Sequence, residues 1–285
     1  MNNYYNKRQK LVDIFNDTKE YYSTDSILIN SVNNSRQNTI IYQEDSYPDI
    51  SNHSIHSNTM IEVNKLRSLE CAINEHSKNP NSKICVMNFA SSTNPGGGVE
   101  KGSSAQEEAL CRCSTLYPTL IQPKCYNNFY NVNRRLKDRL HTDAIIYSPN
   151  IQIIKTDEQY PRRLNKDQFI TVDILSCAAP NLRDRFSYAD SDTGDFISIS
   201  NDQLYSIHLK RAKHILHIAA VYNVDIFITG AFGCGAFQND PIVVAKAYND
   251  ALKDYKQYFE KIIFAVYCNN YEKYNFDVFN RTIIR

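Results

Sequence analysis

The chain has no tryptophan, three methionines and only eight glycines in 285 residues. Glycine lets backbone take positive φ or touch a neighbour without a Cβ in the way, so few places in this molecule ask for either. Charge of one sign is also missing: 32 basic residues meet 31 acidic ones, for a net charge of +1. With no long basic run, bulk electrostatic binding to nucleic acid or anionic lipid is not expected, although a local positive site stays open. No apolar run approaches the length of a membrane span, and Met1–Lys7 lacks the apolar core of a signal peptide. No Cys-x-x-Cys pair occurs among the eight cysteines; Cys111 and Cys113 alone make a poor zinc signal, and Cys85 and Cys177 sit inside apolar runs as buried thiols do. The expectation is no metal, no cofactor, no membrane and no direct nucleic-acid partner, in a reducing compartment: cytoplasmic, or nuclear in a eukaryote. The twenty tyrosines read as compositional bias rather than function.

What is present has a clear order. Residues 1–60 are polar and rich in Asn, Ser, Tyr and Asp. Within them 8–22 reads as a helix, Ile27–Ile29 and Thr39–Tyr42 as short strands, and Asp45–Thr59 as loop. This segment is expected to pack, as an N-terminal extension, on a main body of residues 61–285. From there strands and helices alternate. A helix is predicted over 61–77, then a buried strand at Ile84–Phe89, a helix over 105–116, and possible strands at Ala144–Tyr147 and Ile151–Lys155 on either side of Pro149. Phe169–Ala178 is a strand, 183–199 a polar excursion, Leu204–Tyr222 a long helix, and Asp225–Thr229 a strand. Asp240-Pro241 reads as an N-cap followed by proline at the first helical position, the helix running to about Phe259 before a last strand at Ile262–Tyr267. Such alternation implies a largely parallel sheet with helices on both faces.

Seven of the eight glycines fall in two loops, each between an apolar strand and a helix: Asn94-Pro95-Gly96-Gly97-Gly98, closed by Gly102, and Gly230-Ala231-Phe232-Gly233-Cys234-Gly235. A parallel sheet places its ligand loops there. The second loop could turn backbone amides toward one anion, yet no Gly-Lys-Ser/Thr follows it and the dinucleotide spacing is missing. In the first, three glycines in a row suit backbone lying flat against a ligand. Gln106-Glu107-Glu108 follows just beyond. Adjacent helical acids point about 100° apart, so both cannot be buried in one direction and they should have different jobs. His214 and His217, at i and i+3, are read as surface or interface residues rather than metal ligands; Lys210-Arg211 and Arg134-Arg135 are read as solvated faces.

The stretch Asn88 to Gly98, the seven residues after it and Gln106-Glu107-Glu108 resemble the signature of poly(ADP-ribose) glycohydrolases, and of the compact microbial type in particular. Gly230 to Pro241 resembles that family's second diphosphate loop, and Asp173 to Asn181 resembles the strand between the two. The similarity runs over about residues 60–280. It implies a macrodomain-like three-layer α/β/α sandwich with a mixed, mostly parallel central sheet, and hydrolysis of the ribose–ribose O-glycosidic bonds of poly(ADP-ribose) to release ADP-ribose. The implied partners are ADP-ribose, its polymer and ADP-ribosylated macromolecules. By match to the motif, Glu108 is the general acid and Glu107 holds ribose hydroxyls. Gln106 helps position that sugar, and Asn94 is a ribose contact. Gly96, Gly97 and Gly98 lie along the distal ribose and diphosphate. Gly233, Cys234, Gly235, Ala236 and Phe237 close over the diphosphate. Two positions depart from the family pattern: Ala236 replaces a larger aliphatic residue and Gln238 a small one.

The chemistry is self-consistent. Glycoside cleavage passes through an oxocarbenium-like state and needs a protonated leaving group, so Glu108 has to carry a proton when substrate is bound. Bound diphosphate and Glu107 are both negative and favour that. The alternatives are a macrodomain reader that binds ADP-ribose without cleaving it, a hydrolase of another ADP-ribosyl linkage to protein or nucleobase, and, more remotely, a phosphate-monoester or deacetylating enzyme on the same fold. A reader has no need of the acid; linkage choice depends on the pocket beyond the distal ribose.

Overall fold

The computed structural model of the chain describes residues 2–53, 55–136, 138–183, 198–269 and 271–283. Most of the polar excursion expected at 183–199 lies outside them. Its elements in order are α1 (Asn2–Thr24), α2 (Ser26–Asn38), β1 (Ile40–Tyr42), β2 (Met60–Asn64), α3 (Ser68–Lys78), β3 (Ile84–Ala90) and α4 (Gln106–Cys113). Three short helices follow, α5 (Tyr117–Leu120), α6 (Pro123–Cys125) and α7 (Asn131–Leu136). Then come β4 (Ile145–Ile153), β5 (Ile170–Ala178), α8 (Asn201–Val221), β6 (Ile226–Thr229), α9 (Pro241–Tyr255), β7 (Lys261–Ala265) and α10 (Tyr274–Thr282).

The seven strands form one sheet in the order β1-β4-β5-β3-β6-β7-β2. From β5 to β2 every neighbour is parallel. The pairs β4/β5 and β1/β4 are antiparallel. The sheet is therefore mixed and mostly parallel, as expected. Its central strands are covered on both faces and read as unbroken apolar runs, such as Ile84-Cys85-Val86-Met87, all buried. One core lies between the sheet and α8, α9 and α10, with Ile215, Tyr248 and Phe279. The other lies between the sheet and α1, α3 and α4, with Phe15, Leu69 and Leu110. The two possible strands around Pro149 are one strand with an irregularity between Ser148 and Ile151. There Asn150 takes φ +59° and donates its N–H to Asp173 Oδ1 at 2.9 Å.

Two local expectations fail for identifiable reasons. Ile27-Leu28-Ile29 is not a strand but the first turn of α2. Asp25 caps that helix by accepting from the amides of Ile27 and Leu28, and Leu28, Val32 and Ser35 are buried at helical spacing while Ile27 stays exposed. The helix expected from residue 61 begins only at Ser68. Met60–Asn64 alternates exposed and buried positions and forms an edge strand on β7.

The N-terminal helix is tied to the body at several points. Leu11 and Phe15 are buried, Phe15 meets the Tyr117 ring edge-on at 5.0 Å, and Thr18 Oγ1 donates to Arg112 O at 2.6 Å. Lys155, buried, donates to Ile14 O at 2.7 Å and pairs with Asp17 at 2.7 Å. No described helix is long and apolar enough to cross a membrane.

Candidate active site

A cleft of about 1190 Å³ opens at the carboxyl ends of β3, β5, β6 and β7, where parallel sheets bind ligands. Both glycine loops and the head of α4 line it. Of the residues singled out in the sequence, Asn94, Gly97, Gly98, Gln106, Glu107, Glu108, Gly233, Gly235, Ala236 and Phe237 meet there. Gly96 and Cys234 are not among the residues that line it.

The head of α4 is latched to β3 by Gln106. Its Oε1 accepts from Phe89 N at 2.9 Å, and its Nε2 donates to Met87 O at 2.7 Å and Ser68 Oγ at 3.1 Å. The amide thus pairs with β3 as a neighbouring strand would, and its polar atoms are engaged by the protein.

Glu107 and Glu108 are both buried, 3% and 7% exposed. Both are buried, but not in one direction: the glycine loop wraps the helix end and meets each carboxyl separately, Glu107 through Gly96 N and Glu108 through Gly98 N. Glu107 accepts three hydrogen bonds: Ser91 N at 2.7 Å on Oε2, Gly96 N at 3.2 Å and Asn88 Nδ2 at 3.3 Å on Oε1. Burial, with the Glu108 carboxyl beside it, still pushes the Glu107 carboxyl up to about 8, against the pull of those donors. The negative charge expected of Glu107 is therefore not carried at neutral pH in the empty site, and it does not there favour the proton on Glu108. Among the described residues Glu108 Oε1 accepts from Gly98 N alone, at 2.9 Å. Its Oε2 is buried and has no partner among the described residues. The two acids do differ: one is fully held, the other keeps an oxygen in reserve.

The glycine triplet has a further physical reason beside the one the sequence suggested. All three of its amides are used inside the protein. Gly96 N goes to Glu107, Gly98 N to Glu108, and Gly97 N to Asn94 O at 2.9 Å. At Gly97, φ is +58°, and a Cβ would stand 2.5 Å from Glu108 Oε1 and 3.2 Å from Glu107 Oε2. The loop is therefore a cradle for two carboxyls, and what it offers a ligand is a surface without side chains.

The second loop is the one with amides to spare. Gly235 N, Ala236 N and Phe237 N find no protein acceptor among the described residues, and Gly235 faces open space. Its shape is held from behind. Asn239, buried, reaches Pro180 O at 2.7 Å, Gly233 O at 3.1 Å and Phe237 O at 3.2 Å through Nδ2. His208 Nε2 holds Asn239 Oδ1 at 2.8 Å; burial drives His208 down to about 4, so the ring stays neutral and donates. Gly233, at φ +76°, leaves room for this packing: a Cβ would meet Ala179 Cβ at 2.7 Å. Cys234 packs its thiol against the α8/α9 core, where burial pushes it well above the ordinary range. It lends the loop backbone, not a nucleophile.

Several supporting residues escaped the sequence reading. Arg211, taken there for a solvated face, is 1% exposed. It pairs with Asp143 at 2.7 Å and donates to the carbonyls of Ala178, Leu140 and His141, bracing the end of β5 beside the cleft. His214 and His217 are buried and hold the carbonyls of Ser46 and Pro48. The N-terminal helix also reaches the site: Lys7, Arg8 and Leu11 line the cleft. Its distance in sequence from the motifs concealed this.

The comparisons with known proteins bear on this geometry directly. Residues 8–156 match the family model described as microbial-type PARG, catalytic domain. That match takes in α1 from Arg8 onward, α2 and β1. The structure is similar to poly(ADP-ribose) glycohydrolase from Thermomonospora curvata, with TM-score 0.80 and 25% identity over 96% of this chain and 99% of that one. The complex of that enzyme with the inhibitor ADP-HPD gives TM-score 0.78 and 26% identity over the same shares. The poly(ADP-ribose) glycohydrolase of Deinococcus radiodurans in complex with ADP-ribose gives TM-score 0.74 and 31% identity over 88% of this chain and 96% of that one. No curated protein sequence matches the chain. A family model covering more than half of the chain, and a solved relative above 30% identity over most of both, settle the relationship: this chain belongs to the microbial-type PARG catalytic-domain family.

Proposed function

We propose that the protein is a poly(ADP-ribose) glycohydrolase that hydrolyses ribose–ribose O-glycosidic bonds and releases ADP-ribose, with Glu108 as general acid. The observation that carries this is the Glu108 carboxyl itself. It is buried at the head of α4, held through one oxygen by Gly98 N, with the other oxygen in the cleft wall and without a partner among the described residues. A module that only reads ADP-ribose has no use for such a group.

In this reading the diphosphate of the terminal unit takes the spare amides of Gly235, Ala236 and Phe237, with the Phe237 ring beside the distal ribose. That ribose lies on the bare surface of Gly97 and Gly98, with Asn94 at its edge. Glu107, fixed by its three donors, accepts from ribose hydroxyls. Gln106 acts indirectly by locking α4 to β3. Glu108 gives its proton to the bridging oxygen as the bond from that oxygen to the anomeric carbon breaks. The oxocarbenium-like sugar is stabilised by the nearby diphosphate charge. Water adds to the anomeric carbon and its proton returns to Glu108, so atoms and charge balance. The substrates are then the polymer and ADP-ribosylated macromolecules that carry it. The eight free cysteines, six of them buried, support a reducing compartment, the cytoplasm or a eukaryotic nucleus.

The test is incubation with end-labelled poly(ADP-ribose), wild type against Glu108→Gln. Release of free ADP-ribose by the first and retained binding without release by the second support the hydrolase. Equal inactivity of both, with binding, would leave a reader. Mono-ADP-ribosylated protein run in parallel distinguishes a hydrolase of that other linkage.

A further inference from the structure

We propose that Lys7, Arg8 and Lys101 form a second anion subsite, which takes the diphosphate of the next ADP-ribose unit on the leaving side of the scissile bond. The proposal rests on the hydrolase reading above and deepens it: it makes the enzyme selective for polymer over a single ADP-ribosyl group.

The direction of the ligand follows from which core each wall of the cleft belongs to. The second glycine loop grows from the core under α8 and α9, where Phe232 is buried. The head of α4, Val99 of the first loop and Phe15 of α1 belong to the core on the opposite face of the sheet. The cleft therefore crosses the sheet edge from one face to the other. A ligand with its diphosphate on the second loop and its sugar bond at Glu108 has its leaving portion directed toward α1. There the lining residues are Lys7, Arg8 and Lys101.

These cations are fixed relative to the acid. Leu11, one turn further along α1, is 3% exposed. Gly102 lies so close against the Arg8 carbonyl that a Cβ there would overlap it, and its φ of +71° is one that side chains avoid. The same turn is closed by Ser103 N donating to Gly98 O at 3.1 Å, and Gly98 N holds Glu108. One short, tight segment thus links Arg8 and Lys101 to the general acid. Charge is local as well. The chain is nearly neutral, yet among the described residues six cationic side chains line the cleft against four acidic ones. Of those acids Glu107, Glu108 and Asp157 are buried, and Glu100 faces Lys19 at 4.0 Å. A polymer brings a diphosphate within a few bonds of the scissile oxygen; a single ADP-ribosyl group on a neutral carrier does not.

The experiment compares two substrates, poly(ADP-ribose) and a simple O-glycoside of ADP-ribose, with wild type and Lys7→Gln/Arg8→Gln/Lys101→Gln, each at low and moderate salt. The KM for polymer should rise about tenfold, as three surface charge contacts of ordinary strength would give, with kcat/KM for the small glycoside unchanged. The salt dependence of polymer cleavage should flatten in the variant, and Lys7→Arg/Lys101→Arg should retain wild-type behaviour. Thermal melting of each variant reports folding, and the single Lys101→Gln change, at an exposed position, gives the same comparison with least risk to α1. An equal loss on both substrates, or an unchanged polymer KM with unchanged salt dependence, overturns the subsite. Wild type that cleaves neither substrate would instead remove the hydrolase reading beneath it.

Discussion

Adding one methyl group at Gly97 tests whether the first glycine loop exists to cradle the acid. The new Cβ would stand 2.5 Å from Glu108 Oε1 and 3.1 Å from Glu108 Cδ, where ordinary contact begins at 3.4 Å. The carboxyl has to retreat by roughly 1 Å, and a displacement of that size at a reacting group costs on the order of 100-fold in rate. The backbone is also strained, since φ is +58°, at about 1–2 kcal/mol for a residue with a Cβ. The same methyl at Gly235 meets nothing within 4 Å, and no positive φ is required there. Both glycines line the cleft, so the pair separates crowding of the acid from crowding of the ligand. Single-turnover cleavage of labelled polymer, ADP-ribose affinity by calorimetry and thermal melting would be measured for each. Gly97→Ala should lose about 100-fold in the chemical step and melt lower, with ADP-ribose affinity far less affected; Gly235→Ala should stay within about threefold throughout. If Gly97→Ala kept a rate close to wild type, or both variants were damaged equally, the cradle argument would be wrong.

Three further outcomes follow from the same geometry. Because burial raises Glu107 to about 8, the folded state holds a proton the unfolded chain releases near 4.5. Stability should therefore fall as pH rises from about 5 to 8, by at most about 1.4 kcal/mol per pH unit from this group. Urea titrations should show that Glu107→Gln flattens this slope; an identical slope in the variant would refute it. Asn239→Ala unties the second loop from Pro180 and Gly233 and leaves His208 Nε2 without its acceptor. It should cost about 1–3 kcal/mol of stability and weaken ADP-ribose binding more than it slows the bound complex, as calorimetry beside single-turnover rates would reveal. Arg211→Met leaves the Asp143 carboxylate with Lys210, at 3.0 Å, as its one cationic partner among the described residues. The expected cost, about 3–5 kcal/mol for a broken buried pair, is readable as a lower denaturation midpoint.

Much of this architecture could be read from periodicity alone, because the central strands are buried on both faces and a short continuous apolar run between turn residues suits a strand covered from both sides. The edges were less legible. At Ile27–Ile29 three apolar residues in a row resemble a strand, and only the Asp25 cap and the spacing of Leu28 and Val32 say otherwise. At Met60–Asn64 the alternation was present but too short to stand against the helix that follows. Arg211 shows a deeper limit. Its residue type and its neighbour Lys210 both speak for solvent, and what buries it is a set of carbonyls and a carboxylate from β5 and the segment before β4, none near it in sequence.

The two glycine loops make the same point about function. Scarce glycine marks where backbone must approach something closely, but it does not say what. In the second loop the amides of Gly235, Ala236 and Phe237 have no acceptor among the described residues, and the proposed diphosphate is what would take them. In the first that something is the protein's own pair of carboxyls, and every amide of the triplet is already committed. The chemistry follows from that difference. In the proposed function the spare donors take the diphosphate on one side of the cleft, while on the other a loop without side chains buries Glu108 and leaves one of its oxygens without a donor among the described residues. A buried carboxyl so placed costs stability for the empty protein, and a structural role would have been met better by an apolar residue. Its place at the mouth of the proposed anion site is intelligible as preparation for handing a proton to a bond that only a bound substrate brings.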